Sequence, residues 1–232
     1  MNTPRCRILV EGKIDAVAIG NLLHRRGINP RERQRWRVEV VEVGEDAKEG
    51  GGVTQLLRRL PTEEKNRRLG GASGYVADAD ASAEDRWASI RDRMAGVGLR
   101  VPDDTTGGVV ERSAGGAWLG AWVMPDNASP GALEGWLLTM APPERQELVR
   151  HAKEATERAF GIHPHAEQRP GGLREADRGK AELLAYLAWH RKPSTNFGVS
   201  FERGRLDADA AAAGPFLKWA RSLLEAAETG TR

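Results

Sequence analysis

Two rhythms of apolar residues alternate along the first half of the chain. Short apolar runs end abruptly in acidic or turn-forming residues. Arg7–Val10 runs into Glu11-Gly12, Val38–Val43 into the polar, glycine-heavy stretch 45–52, and Tyr75–Ala77 into Asp78. Runs of this length read as buried β-strands. Between them the spacing becomes helical. Over Lys13–Arg26, Ile14, Val17, Ala18 and Leu22 share one face and Gly27 is a stop. Over Val53–Leu60, Leu56, Leu57 and Leu60 turn inward and Pro61 ends the run. Ser82 is a suitable N-cap for a helix reaching about Met94, with Trp87 and Ile90 on its buried face. A β-α-β-α-β-α order predicts a parallel sheet with right-handed crossovers.

The second half changes character. Val109–Glu111 and Ala117–Met124 are strand-like, separated by a turn at Ala114-Gly115-Gly116 and closed by Pro125-Asp126-Asn127. Beyond them the pattern is helical over Gly131–Met140, Pro142–Phe160, Arg174–His190 and Pro215–Ala227, with the alanine run Ala210–Ala213 as a linker or cap. The expected fold is α/β: a Rossmann-like core with a parallel sheet flanked by helices over residues 1–140, and a helical section over 141–232 packed on it.

Composition narrows the class. With 29% charged and 40% hydrophobic residues the 232-residue chain is neither disordered nor a membrane span. Met1–Arg7 has no long apolar segment behind it, which argues against a signal peptide. A single cysteine excludes an internal disulfide and suits a reducing cytoplasm. The net charge of +2 does not by itself announce nucleic-acid binding. Arg25-Arg26, Arg31–Arg37, Arg58-Arg59 and Lys65–Arg68 cluster in the first third; such runs line a phosphate track in some proteins and are solvated helix ends in most.

The chemistry concentrates at the strand ends. In an open α/β sheet ligands bind beyond the carboxyl ends of the strands. Glu11 and Asp15 come after the first strand, and Asp78 and Asp80 after the third. In extended backbone Asp78 and Asp80 point to the same side. Four carboxylates around one small volume repel unless a cation joins them, and hard oxygen donors suit Mg²⁺ or Mn²⁺. Gly12 lets the backbone turn tightly and a phosphate approach, with Lys13 beside it. An isolated D-x-D is weak, because aspartate is common in turns and caps. Asp126 and Asn127 are candidates on the same terms, as site residues or as a plain turn. His163 and His165 bracket Pro164 at a spacing poor for zinc. Trp118, Trp122, Trp136, Trp189 and Trp219 match strand or helix periodicity and read as core.

The combination of Glu11-Gly-x-x-Asp15 with Asp78-x-Asp80 resembles the signature of the Toprim domain, shared by type IA and II topoisomerases, bacterial primases, small recombination and RNA-maturation nucleases, and OLD-family nucleases. An acidic residue four after the first is most similar to the OLD type. Trp122-Val-Met-Pro-Asp126-Asn127, Gly131-x-Leu133-Glu134, Lys180-Ala181 and Tyr186-Leu-Ala-Trp189 resemble a group of small stand-alone bacterial Toprim proteins. The resemblance implies that Glu11 is a metal ligand or general acid/base, that Asp78 and Asp80 bind metal, and that Asp15 is the additional OLD-type ligand. It further implies that Glu134 is another carboxylate ligand and that Lys180 offsets transition-state charge; by its position alone, Lys180 is equally a solvated lysine on a helix.

The expected activity is Mg²⁺- or Mn²⁺-dependent phosphodiester chemistry on nucleic acid, DNA rather than RNA, with endonuclease cleavage as the first expectation and two ions bridging the scissile phosphate. No G-x-x-x-x-G-K-[ST] occurs, so any ATPase would come from a partner protein. A topoisomerase-type tyrosine is not expected, since Tyr75 lies in a core strand and Tyr186 in an apolar helix. Two alternatives stand beside cleavage. One is nucleotidyl or phosphoryl transfer on a small nucleotide, which the modest net charge favours. The other is a non-catalytic metal- or nucleotide-binding module within a partner complex.

Overall fold

The computed structural model describes residues 6–28, 36–40, 52–67, 71–162, 177–193 and 197–229. Five strands form one sheet: β1 (Cys6–Val10), β2 (Trp36–Val40), β3 (Ala72–Asp78), β4 (Val109–Arg112) and β5 (Trp118–Met124), in the order β2-β1-β3-β5-β4. β1, β2, β3 and β5 run parallel, and β4 is an antiparallel edge strand on β5. The parallel α/β expectation therefore holds, with one hairpin added at its edge. The chain leaves β1 toward β2 on one side and returns to β3 on the other. That reversal makes the β1/β3 boundary the switch point at which an open α/β sheet leaves a crevice.

Both faces of β1, β3 and β5 are buried, as a parallel sheet requires. Side chains alternate between two clusters. Ile8 and Val10 of β1, Val76 of β3, and Trp122 and Met124 of β5 enter one; Leu9, Tyr75, Ala77, Leu119, Ala121 and Val123 enter the other. The second face is covered by α2 (Val53–Arg58), α3 (Leu60–Arg67) and α4 (Ala83–Ala95). The first is covered by α1 (Lys13–Arg25), α5 (Leu133–Thr139), α6 (Gln146–Ile162), α7 (Arg178–Ala188), α8 (Phe197–Glu202) and α9 (Gly214–Thr229). The C-terminal helices thus share the sheet's own hydrophobic cluster. Phe216, Trp219 and Leu223 of α9 lie against it, and Trp219 Nε1 donates to the Val109 carbonyl at 3.0 Å.

Several local expectations change. Pro61 does not end a helix; it sits at the second residue of α3, where its missing N–H and fixed φ are tolerated. α8 is an addition to the expected helices, because Phe197–Glu202 is too short to show a period. Ala211–Ala213 forms a 3-10 turn leading into α9. Trp189 is 44% exposed and stacks on His151 at a 4.9 Å centroid distance, so it is not a core tryptophan. Arg31–Arg35, His163 and His165 lie outside the described residues. At the amino end of the sheet Glu63 is buried against Arg7 (3.0 Å), Ser73 (2.8 Å) and Arg67, which ties α3 to β1 and β3. No helix among the described residues is long and apolar enough to cross a membrane.

Candidate functional site

The switch point is where the acidic residues meet. Glu11 leaves the end of β1, and Asp78 is the last residue of its neighbour β3. Glu11 Oε1 accepts a hydrogen bond from the Asp78 amide at 3.1 Å, so one carboxylate spans the gap between the two strand ends. Asp78 Oδ1 in turn accepts from the Leu133 amide at 2.9 Å, at the start of α5. Asp15, on the first turn of α1, closes back onto the Gly12 amide at 2.8 Å. Each side chain is anchored by one oxygen on a backbone N–H. Glu11 Oε2 and Asp78 Oδ2 make no hydrogen bond among the described residues.

Electrostatics couples the group. Burial, then the charges of Glu11, Asp15 and Glu134, pushes Asp78 up to about 8. Burial, then Glu134, raises Asp15 to about 6, against the pull of the Gly12 amide and Lys180. Burial raises Glu11 as well, with Asp80 and Asp15 adding repulsion and the Asp78 amide and Arg86 opposing it. Glu134 and Lys180, from helices well beyond the strands in sequence, are therefore neighbours of Asp15. α7 packs beside α5 at Gly179, where a Cβ would make only ordinary contact with the Gly135 amide nitrogen (3.8 Å) and Glu134 Cβ (3.9 Å).

Asp80 departs from its expected place. Its φ is +53°, and a two-way backbone bridge to Gly131 (2.9 and 2.8 Å) holds that turn. The backbone is no longer extended, so Asp78 and Asp80 do not share a side. The Asp80 side chain is 70% exposed and pairs with Arg86 Nη2 at 2.6 Å, while Arg86 Nε donates to the Asp78 carbonyl at 2.6 Å. Among the described residues no three His, Cys, Asp or Glu side chains already stand at metal-holding distances. The donor set is nevertheless of the type a hard divalent cation takes: carboxylates whose burial, and then mutual repulsion, favours the protonated form, with oxygens left over after anchoring. Gly52 shapes the floor. At φ +74° it faces Glu11, and a Cβ there would lie 2.7 Å from Oε2.

The remaining candidates divide. Gly12 spends its amide on Asp15, and Lys13 is exposed at the start of α1. Asp126 caps its own turn through the Ala128 amide and the Ser129 amide and hydroxyl. Asn127, buried at φ +69°, accepts from the Val123 amide at 2.7 Å, and its carbonyl receives Trp87 Nε1 at 3.0 Å. Both are occupied in holding the loop after β5. Arg86 and Gly52 are site residues that the sequence pattern does not single out. Arg86 has a signal nonetheless: it lies four residues past the Ser82 N-cap of a helix that must begin over the end of β3.

Fold and site together define an α/β protein with a carboxylate-lined crevice at the switch point of a mostly parallel sheet. The chain belongs to the family described as protein of unknown function DUF3226, whose family model matches residues 5–225. No curated protein and no solved structure matches it.

Proposed function

We propose that this crevice performs Mg²⁺- or Mn²⁺-dependent phosphodiester chemistry of the Toprim type, with endonuclease cleavage of DNA as the reaction and the cytoplasm as its place. The observation that carries the reading is the meeting of Glu11, Asp15, Asp78 and Glu134 at the carboxyl ends of β1 and β3, with Lys180 beside them. Such a set is costly without a cation, since each added negative charge raises the cost of its neighbours. A bound divalent ion supplies Lewis-acid stabilisation of the phosphoryl oxygens and acidifies bound water. Glu11, Asp78, Asp15 and Glu134 would hold it. Asp80, which pairs with Arg86 on an exposed turn, would add a ligand only if that pair opened. Lys180 would set a positive charge against the negative charge that develops on the phosphoryl and leaving oxygens.

The test is incubation with supercoiled and linear duplex, single-stranded DNA and RNA in Mg²⁺ and in Mn²⁺. Metal-dependent strand cleavage is expected, abolished by Asp78→Ala. Lys180→Ala should lower the rate by about 10²-fold, the scale of losing one transition-state donor. Turnover of nucleotides alone would move the assignment to nucleotidyl or phosphoryl transfer. Metal binding without turnover of any substrate would leave a binding module.

A further inference from the structure

Arg86 is the one cation bonded directly to the acidic crevice among the described residues, and its bonds are unevenly distributed. Nε is fixed on the Asp78 main-chain carbonyl and Nη2 on the Asp80 carboxylate, both at 2.6 Å. Nη1 makes no hydrogen bond among the described residues. The side chain is only 13% exposed, whereas its partner Asp80 is 70% exposed. A guanidinium with its stem buried, its root pinned to a strand end and part of its fork free is a rigid planar donor. Such a fork matches a phosphate better than a lysine does. The Nη2–Asp80 pair is the exposed and therefore weakly held part of the arrangement.

We infer that Arg86 is the phosphate-gripping residue of this crevice, and that the Asp80 carboxylate occupies its fork until an incoming phosphodiester exchanges for it. The exchange is chemically even: one oxyanion leaves Nη2 and another takes its place, with Nη1 as the added donor. The Nε bond to the Asp78 carbonyl need not break, so the guanidinium keeps its position while its partner changes. Asp80, once displaced, is free to turn inward, its backbone fixed by the bridge to Gly131. The inference deepens the phosphodiester reading and rests on it for the identity of the substrate, but not on any metal.

Equilibrium binding in EDTA tests it, with a fluorescent single-stranded oligonucleotide and with inorganic phosphate as competitor, so that a phosphodiester and a free phosphate are told apart. Four proteins are compared: wild type, Asp80→Asn, Arg86→Gln and the double variant. Asp80→Asn should tighten oligonucleotide binding three- to tenfold by vacating the fork. Arg86→Gln should weaken it about tenfold. In the Arg86→Gln background, Asp80→Asn should change affinity less than twofold, because the vacated fork is gone; a double-mutant cycle isolates this coupling from simple loss of a negative charge. An equal gain from Asp80→Asn in both backgrounds, an Arg86→Gln variant that binds like wild type, or a wild type that binds no oligonucleotide would each overturn the inference. Far-UV circular dichroism and melting of all four separate misfolding from lost contact, and Arg86→Lys, which keeps the charge without the fork, should recover less than half of the lost affinity. Failure of the nuclease reading shows elsewhere, as the absence of metal-dependent cleavage by a wild type that still gives the coupling.

Discussion

At the scale of single residues the crevice is built from small positions as much as from charged ones. Gly52 adopts φ +74° and ψ −133°, a region closed to side-chain-bearing residues, and lies where a Cβ would press on Glu11 Oε2. Gly52→Ala should therefore cost about 2 kcal/mol from backbone strain alone. It should also displace the Glu11 carboxylate. The first effect is read as a lowered Tm, the second as a smaller Mn²⁺-induced shift in Tm than wild type shows. An alanine variant that melts like wild type would remove the backbone strain, and one with the full Mn²⁺-induced shift would place Gly52 away from Glu11. Glycine at this position is legible only as part of a polar loop, because nothing in a single sequence says which loop glycine faces a carboxylate from another element. Glu11 and Asp78 are legible because strand periodicity stops at or just before them, and Asp15 because it opens the helix that follows β1. Asp80 is misplaced by the extended-strand pattern, since its turn is imposed by the backbone bridge to Gly131, a contact across the sheet end that local pattern does not encode.

Among elements, the decisive contact is α9 on the sheet. The helix approaches closely because β3 and β5 carry glycine where they meet it. A Cβ on Gly74 would lie 2.5 Å from Leu223 Cδ2 and 2.9 Å from the Trp219 ring, and one on Gly120 would lie 3.0 Å from Leu223 Cδ1. Gly74→Val should push α9 away and cost about 1–3 kcal/mol, the usual range for overpacking a filled core. Thermal or urea melts would register it, and an unchanged midpoint would mean that α9 does not sit on the sheet. The strands and the helix before each crevice residue are readable from their periods. The partner of each is less so. α9 returns from the far end of the chain to cover β1, β3 and β5, and β4 lies antiparallel on β5 through the turn between Ser113 and Ala117. Such pairings depend on long-range burial, which leaves a weak trace in local spacing. The same holds for Lys180, whose charge acts on Asp15 because α7 packs on α5.

For the whole molecule the consequence is a fold that carries an electrostatic load at its own switch point. Asp78 is raised from 3.8 to about 8 and Asp15 from 3.8 to about 6, burial being the larger cause in each. A carboxyl group whose folded pKa lies above its unfolded value favours the folded state while protonated. That advantage is full below about pH 4 and is lost as pH rises through the folded value, so the metal-free protein should lose stability between about pH 4 and pH 8 from these two groups. The effect is isolated by difference. Asp78→Asn keeps the shape without the charge, so its Tm should exceed that of wild type by a margin that grows as pH rises from 5 to 8 and shrinks toward pH 4. Titrations away from the crevice are common to both proteins and cancel, while loss of the Asp78 charge also eases ionisation of Glu11, Asp15 and Glu134, so the difference reads the load of the whole group. A divalent ion acts in the opposite sense. It binds the folded state, displaces the protons and stabilises by mass action. Millimolar Mn²⁺ should therefore raise the wild-type Tm more at pH 8 than at pH 5, and should barely move Asp78→Asn at either. A wild-type/variant difference that does not change with pH would remove the electrostatic load. An equal Mn²⁺ shift in both proteins would place the ion somewhere other than the ends of β1 and β3.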